Sequence, residues 1–301
     1  MPKALTVTVA PLTTAVRRIG GKTPLGAKLS SKEWGNVPLA VRERAFFSAK
    51  VESARFLQSA QELIAGNVRM QKERIAPSKV ARGGEAVISR DSFIGDMHDL
   101  AVKLGLNTTP DGKYTGTVRD IRSVPRLGMI YDMQRQQAFE YSRWKMGQDS
   151  DVLNEFPAQR LLRSTADEPR QPPYWENRWQ RACIAGGDRK ALALFRSTGE
   201  IAALKTSRAW VELSAFGTPW PPFDFGSQRT LEDVDRDEAV LLGLISKEKR
   251  MKPVDIDFNR HVEASIEGLS PETRRLLKDA FGSTVQIIKR QFGTVMRMKQ
   301  P

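Results

Sequence analysis

The chain has 301 residues, of which 40% are hydrophobic and 28% are charged, and its formal net charge at pH 7 is +13. These proportions are typical of a soluble globular protein. No window approaches about eighteen uninterrupted apolar residues, so we expect no transmembrane helix and no membrane partner. The first residues lack the apolar core and cleavage site of a secretory signal. A single cysteine, Cys183, excludes an intrachain disulfide, and two histidines leave little material for metal chemistry, so we expect no metal and no cofactor.

Basic residues are concentrated in the first third of the chain. Residues 1–90 carry 16 Lys/Arg against 6 Asp/Glu, and no acid precedes Glu33. Glycines and Pro24 interrupt this segment, so we predict an extended basic arm over residues 1–37. An isolated arm of this kind would be disordered, and we expect a neighbouring protein to hold it. The arm attracts DNA phosphate or an acidic partner, or else is a solubilising tail without specific contacts. Its candidate contact residues are Lys3, Arg17, Arg18, Lys22, Lys28 and Lys32.

Helical periodicity follows the arm. Apolar residues spaced by three and four predict an amphipathic helix from Pro38 to about Lys72. A second helix is predicted from about Asp91, as N-cap, to Leu104, with Gly105 as its stop. A third is predicted from Pro125 to about Met146. Together they predict a helical domain over residues 38–150.

Shorter elements predict a small α+β domain over residues 151–250. Strands are expected at 160–163 and around 201–204, and a short helix at 238–244. The segment 174–181 interleaves aromatic residues with arginines, which favours contacts with a nucleic acid through Arg178 and Arg181. The alternative for that segment is an edge strand or helix with an apolar face. A C-terminal extension over residues 251–301 should contain a helix that begins at Ser270 and stops at Gly282. The predicted fold class is therefore α+β, with a mainly helical N-terminal half, a small α+β C-terminal domain and an extended basic N-terminal arm.

A loop rich in proline, glycine and aromatic residues runs from Gly217 to Ser227. Its prolines and glycines disfavour both helix and strand, and its large aromatic side chains would be costly to leave in water. We predict a packed loop of defined shape; the alternative is an ordinary loop that covers a core. The residues predicted to give this loop its shape are Trp210, which precedes it, and Trp220, Pro221, Pro222, Phe223 and Phe225 within it.

Acidic residues give the case for an enzyme. Asp224, the cluster Glu232–Glu238, and Asp255 with Asp257 are candidates for Mg²⁺ binding or acid–base steps. The simpler interpretation is that Asp233 or Asp235 caps the helix whose first turn carries further acids. Ser207 and Ser227 have no histidine close in sequence, although His98 or His261 could approach in space. No glycine-rich phosphate loop is present. We therefore predict no catalytic residue and no enzymatic activity.

The order of these segments resembles that of the phage Mu F-like minor head proteins, the phage head morphogenesis family. The likeness covers roughly residues 33–246, and outside it lie the arm and the last fifty or so residues. The matching segments are 42–51, 93–97, 126–143, Pro173-Tyr174-Trp175, Trp210, the loop Pro221-Pro222-Phe223-Asp224-Phe225 and Leu242-Gly243-Leu244.

The chain also departs from the family. Many members have an Arg-x-x-His stretch where this chain has Gly186–Lys190, and a Cys-Arg-Cys where it has Gly226-Ser227. Any metal or redox role of that constellation is therefore not carried over.

The resemblance implies a structural component of a bacteriophage virion. It would be a minor head protein near the portal or the inner capsid face, made in the host cytoplasm. As an oligomer it would contact the portal or the major capsid protein. The positive charge of the chain, rather than the resemblance, predicts a contact with packaged double-stranded DNA. Two alternatives stay open: a DNA-binding accessory protein of phage assembly or ejection, and a phage-encoded hydrolase with an acidic site.

Overall fold

A computed structural model of the chain describes residues 10–75, 89–107, 112–163, 172–225, 227, 229–254, 263–265, 269–282, 285–290 and 293–298. These residues divide into two compact units, one within Met1–Arg135 and Ile256–Pro301, the other within Gln136–Asp255. The division into a helical domain over residues 38–150 and a small α+β domain over residues 151–250 stays a prediction.

The described elements are helices joined by small sheets, which confirms the predicted α+β, mainly helical class. In chain order they are α1 (Ala10–Gly20), β1 (Thr23–Pro24), α2 (Ser31–Gly35), α3 (Leu39–Arg42), β2 (Ala45–Phe46), α4 (Ala54–Ile75), α5 (Arg90–Lys103), α6 (Val124–Gly147), α7 (Ser150–Glu155), β3 (Ala158–Arg163), α8 (Pro172–Gly186), α9 (Arg189–Thr198), β4 (Ala202–Leu204), α10 (Ala209–Leu213), β5 (Arg229–Val234), α11 (Arg236–Leu241), β6 (Glu263–Ser265), α12 (Pro271–Phe281), β7 (Val285–Arg290) and β8 (Gly293–Met298).

The predicted extended arm is wrong for residues 10–36. Helix α1 packs against α4 and buries Ala15 and Ile19, which lie one turn apart on the same face. Gln61 of α4 donates through Nε2 to the carbonyl oxygens of Ile19 (2.6 Å) and Lys22 (2.7 Å). The bond to Ile19 satisfies a carbonyl group in the last turn of α1, where intrahelical partners are missing, and the bond to Lys22 fixes the turn that follows. The chain's own body therefore holds this segment, without the neighbouring protein that we expected. Residues 1–9, with the candidate Lys3, lie outside the described residues.

The single helix predicted from Pro38 to about Lys72 is also wrong, because the structure forms two helices with a strand between them. Helix α3 ends at Arg42, β2 pairs in parallel with β1, and α4 begins at Ala54. Lys50 has a φ of 63°, which no right-handed helix can continue. Of the apolar residues on which the periodicity rests, Ala49 is half-buried, and the others are buried: Val41, Ala45, Phe56, Leu57, Ala60, Ile64 and Val68.

The second and third predicted helices are confirmed as α5 and α6. Helix α5 is capped by Ser89, whose hydroxyl accepts from the backbone N–H of Ser92 (3.0 Å), so the predicted N-cap at Asp91 is two residues late. Gly105 follows the end of α5 with a φ of 65°, as its role as a stop predicts. Helix α6 begins one residue before Pro125 and contributes residues to both units.

The C-terminal segment completes the first unit. Helix α12 is confirmed, with Ser270 as its N-cap and Pro271 at its first position. Leu277 and Phe281 of α12 share a core cluster with Leu25 and Val41. An antiparallel sheet of order β6-β8-β7, which the sequence did not indicate, flanks α12 in the chain.

The second unit is built on an antiparallel sheet of order β4-β3-β5, which confirms the strands predicted near 160–163 and 201–204. Leu161 and Leu231 face each other across β3 and β5, and both belong to a core cluster with residues of α8, α9 and α10. Ala158 and Val234, which point to the opposite side, belong to a second cluster with residues of α7, α9 and α11. The sheet therefore has apolar packing on both faces.

Among the described residues, none of the helices combines the length and the apolar character that crossing a bilayer requires.

Candidate functional site

The predicted contact residues of the N-terminal segment fall into two groups. Arg17, Lys28 and Lys32 are exposed. Arg18 is not, because its guanidinium forms an ion pair with Glu43 in which both side chains are only 9% exposed. The prediction of a surface contact is therefore corrected for Arg18.

Lys22 is buried as well. Its Nζ donates to Oε1 of Gln134 (3.3 Å). Burial, and then the charge of the nearby Arg18, lower the pKa of Lys22 to about 7. A buried ammonium with such a pKa cannot serve as a phosphate contact, so Lys22 is also removed from the predicted surface.

Arg178 and Arg181 both lie on α8, but their environments differ. Arg178 Nη1 lies 2.9 Å from Oδ2 of Asp224, and the Tyr174 hydroxyl donates to the same oxygen (2.6 Å). Arg178 also donates to the carbonyl oxygen of Phe223 (3.3 Å), so it ties α8 to the loop after α10. Arg181 is exposed.

The segment 174–181 is a helix with an apolar face, the alternative to a nucleic-acid interface. Trp175 and Trp179 are fully buried in the same core cluster, so their rings cannot stack on a base. Tyr174 is 39% exposed.

The loop from Gly217 to Ser227 is packed, as predicted, for most of its large residues. Trp210, Trp220 and Phe223 are at most 1% exposed, and Pro221 and Pro222 are buried. Trp210 lies between Trp179 (ring centroids 4.8 Å apart) and Phe223 (5.9 Å). Phe225 is the exception, because it is 44% exposed and contacts Phe216.

The acidic residues that suggested an enzyme hold the fold together. Arg160 forms ion pairs with Glu200 (3.2 Å), with Glu232 (3.3 Å) and with Glu238. Asp235 is the N-cap of α11, and its Oδ1 accepts from the backbone N–H of Glu238 (2.8 Å), which confirms one of the two predicted caps. Asp255 and Asp257 lie outside the described residues.

The serines and histidines show no catalytic pairing in the described part of the chain. Ser207 donates to Oδ2 of Asp188 (2.5 Å) and accepts from the backbone N–H of Ala209 (3.2 Å). His98 Nδ1 lies 2.8 Å from the carbonyl oxygen of Arg122. His261 lies outside the described residues. Within the described ranges, no three His, Cys, Asp or Glu side chains are grouped as a metal site would require.

A cavity of about 260 Å³ in the second unit, here called the Lys205 cavity, was not predicted. One side of it is the face of the sheet that carries Gln159, Leu231 and Asp233, with Lys205 just after β4. The other side is the last turns of α6, whose lining residues recur at helical spacing. The residues that line it are Glu140, Arg143, Trp144, Met146, Gly147, Gln148, Val152, Gln159, Lys205, Trp220, Pro221, Leu231 and Asp233.

Charged groups in the wall of the Lys205 cavity are shifted by burial. Lys205 is 5% exposed, and its Nζ lies 2.9 Å from Oδ1 of Asp233. Burial lowers the pKa of Lys205, although the carboxylate of Asp233 opposes this shift. Burial raises the pKa of Glu140; the charge of Arg143 opposes this shift and that of Asp233 adds to it. Perturbed pKa values in a concave site are typical of functional positions.

Two amide groups in the same wall have unused hydrogen-bonding capacity. Gln148 accepts from the backbone N–H of Val254 through Oε1 (2.9 Å), which identifies the other atom as Nε2. This Nε2 is buried without a hydrogen-bond partner among the described residues. The Nε2 of Gln159 is likewise buried and without a partner in the described ranges of the chain. A buried N–H group without an acceptor costs about 1–3 kcal/mol, so both amide groups are unfavourable elements of this wall.

The sequence held one weak signal for this cavity. Lys205 directly follows the apolar run Ile201–Leu204, and a lysine that close to a buried strand must either reach water or find a partner. The position of Gln159 opposite Asp233 follows only from the register of β3 and β5.

The chain matches no protein-family model, and neither a curated protein nor a solved structure matches it. Its function is therefore inferred from the residues themselves and from the order of the segments.

Proposed function

We propose that the protein is a structural component of a bacteriophage virion. In this role it is a minor head protein that contacts the portal or major capsid protein as part of an oligomer. One observation supports this proposal most. The aromatic residues that carry the resemblance in the second half, Trp175, Trp210 and Phe223, lie far apart in sequence but share one core cluster. The similarity thus concerns positions that determine a fold, and these are the positions a structural family has in common.

The last matching segment has a structural explanation of the same kind. Gly243 in Leu242-Gly243-Leu244 has a φ of 71°, which favours glycine, and Leu244 is buried in the second core cluster. The matched residues therefore account for the helix end as well as the core.

The pairing of the acidic residues supports a structural role over the hydrolase alternative. Asp224 is paired with Arg178, Asp233 with Lys205, and Asp235 caps a helix. Carboxylates that form ion pairs or cap helices have a structural explanation that requires no acid–base role.

The alternative of a DNA-binding accessory protein has one observation in its favour. Arg17, Lys28 and Lys32 are exposed on the first unit, where they can attract phosphate through a salt-dependent and sequence-blind interaction. The buried Arg18 and Lys22, and the helical segment 174–181, reduce the interface that this alternative was based on.

The test is the location of the protein in purified virions, separated into DNA-filled heads, emptied heads and tails. Mass spectrometry and immunogold labelling should find it at low copy in filled and in emptied heads, and not in tails. A protein that is lost together with the DNA would favour the accessory role in ejection. Absence from the particle would refute the proposal.

A further inference from the structure

An open groove of about 320 Å³ lies beside α8 in the second unit, and we call it the α8 groove. Arg181 and Ala185 in its wall are exposed, and Tyr174 is 39% exposed, so a partner can reach the groove from solvent. Ile184, which is 65% exposed, flanks the groove one turn from Arg181. The residues that line the groove are Tyr174, Arg178, Arg181, Ala182 and Ala185 of α8 and Glu212 of α10.

A second exposed patch lies on α11, and we call Asp237 with Leu241 the α11 patch. The two residues are four apart in the helix, so their side chains are neighbours on one face, and the buried Ala239 lies on the other. Leu241 is 87% exposed, the largest fraction for any large hydrophobic residue in the described part of the chain, and Ile184 has the second largest. The two apolar side chains that would gain most from being covered therefore lie at the α8 groove and on the α11 patch.

The charges of the two surfaces complement each other. Neither Arg181 nor Asp237 has a hydrogen bond or an ion pair within the described ranges. The other charged residues of the groove already have partners, namely Asp224 for Arg178 (2.9 Å) and Arg208 for Glu212 (3.1 Å). The groove therefore offers one unpaired cation and the α11 patch one unpaired anion, and each lies one turn from an exposed apolar side chain.

We propose that the α8 groove binds the α11 patch of a second copy of this chain. The partner's Asp237 pairs with Arg181, and the partner's Leu241 packs against Ile184 and Ala185, one turn further along α8. The size of the groove agrees with this occupant. An engineered cavity of about 150 Å³ holds benzene, so 320 Å³ gives room for a leucine side chain beside a carboxylate.

The contact is head-to-tail, because α8 and α11 pack on opposite faces of the sheet. Helix α8 belongs to the core cluster of Leu161 and Leu231, whereas α11 contributes Ala239 to the cluster of Ala158 and Val234. A pair of copies thus leaves one groove and one α11 patch open. Heterologous contacts of this kind build rings or filaments rather than two-fold dimers.

This inference deepens the oligomer of the proposed function, and its meaning for the virion rests on that function. The experiments below use the purified full chain. Failure of self-association and absence from virions are therefore separate results.

The first experiment links the two surfaces by a disulfide. The native Cys183 is buried and does not compete. Ala185→Cys and Leu241→Cys are made as separate proteins with tags of different mass and mixed under mild oxidation. We expect about tenfold more linked heterodimer than linked dimer of either variant alone, because the contact raises the local thiol concentration.

The matched control for this experiment mixes Ala185→Cys with Val124→Cys, at a residue of the first unit that is 60% exposed. This mixture should give only the background yield. Equal yields in both mixtures, or linkage mainly between copies of the same variant, would overturn the head-to-tail contact.

The second experiment measures self-association by analytical ultracentrifugation, at about 150 mM salt to screen the repulsion that the net charge of +13 causes. Arg181→Asp and Asp237→Arg should each weaken association about tenfold, because each brings like charges together. The chain with both substitutions carries the same pair reversed and should regain wild-type association. A double variant that associates as weakly as the single variants would contradict the pairing of these two residues.

The apolar half of the contact is tested with Leu241→Ser, and Val124→Ser is the matched control. Both side chains are exposed, so neither change should alter the fold. Loss of the leucine should weaken association about tenfold, and the control should leave it as in wild type. A wild-type chain that stays monomeric up to about 200 μM, a concentration at which even a weak specific contact is populated, would overturn the proposal. The two surfaces would then be open to a different protein.

Discussion

Among single residues, Asp224 most directly separates a structural from a catalytic role. Its carboxylate holds Arg178 and the Tyr174 hydroxyl, and the side chains of Asp224 and Arg178 are only 15% and 16% exposed. In Asp224→Asn the guanidinium loses its charged partner while it stays largely buried, so the free energy of unfolding should fall by about 2 kcal/mol. Denaturant unfolding measures this loss.

The matched control for Asp224→Asn is Glu212→Gln. Glu212 pairs with Arg208 one turn away on the surface, where the Arg208 side chain is 73% exposed. Such pairs contribute about 0.3–0.5 kcal/mol. If both variants lost equally little stability, the proposed role of Asp224 in tying α8 to the loop would be wrong.

Lys22 should make stability depend on pH. Its pKa of about 7 in the folded protein lies below the 10.5 of an ordinary lysine. Between these values the unfolded chain binds more protons than the folded one, so the free energy of unfolding rises with pH, by at most about 1.4 kcal/mol per pH unit. Lys22→Met should remove this rise and should be most stabilising, relative to wild type, at pH 7 and below.

Urea unfolding of wild type and Lys22→Met at several pH values from 6.5 to about 10 tests this expectation. Other titrating groups cancel in the difference between the two proteins. Lys28→Met, at an exposed position, should leave the pH dependence as it is. A constant difference between wild type and Lys22→Met across this range would show that Lys22 is not buried as a charged group.

At the level of elements, α11 shows why its acids were ambiguous in the sequence. Asp235 accepts from the backbone N–H of Glu238, and Asp237 and Glu238 occupy the first turn. Asp235→Ala should therefore cost about 1 kcal/mol, whereas Asp237→Ala should cost only a few tenths. Thermal unfolding measures both. The unfolding midpoint of wild type should not respond to millimolar Mg²⁺, and a rise that Asp235→Ala abolishes would instead support a metal site.

The sequence predicted those elements whose signals are local. Helices α5, α6 and α12 each combine apolar spacing with a start or stop residue nearby, such as Ser270 or Gly105. The helix predicted from Pro38 failed because apolar spacing continues across a break that depends on pairing between β1 and β2. The extended arm predicted over residues 10–36 was wrong for a similar reason. The basic composition can be read from the sequence, whereas the packing of α1 on α4 cannot.

The Lys205 cavity could not be predicted for a different reason. Gln159 and Asp233 meet only through the register of β3 and β5, and the last turns of α6 must close over them. A shift of one residue in that register would move both side chains to the opposite face of the sheet. Local patterns carry no information about such a pairing. Candidate sites that lie within one segment were therefore visible, and the one assembled from five segments was not.

For the whole molecule, the net charge of +13 gives some attraction to DNA wherever the basic residues lie. A defined DNA surface requires in addition that particular exposed residues contact the phosphates. We expect the exposed Arg17, Lys28 and Lys32 to make phosphate contacts. The ion pair of Lys28 with Glu52 (3.6 Å) does not prevent this, because both side chains are exposed and such surface pairs are weak. The variant with all three residues changed to Gln should bind a duplex with a weaker salt dependence. The slope of log K against log [salt] should fall by about 2–3, since each lost phosphate contact removes about 0.9.

The matched control changes the exposed Lys247, Lys249 and Arg250 to Gln, which removes the same charge from the second unit. A local interface predicts that this control keeps the wild-type slope, whereas attraction to overall charge predicts that both variants weaken binding equally. Fluorescence anisotropy with a labelled duplex from 50 to about 300 mM salt separates the two. Equal slopes in the two variants would mean that the first unit holds no defined DNA surface, and the exposed cations would then be expected to face an acidic protein neighbour in the head.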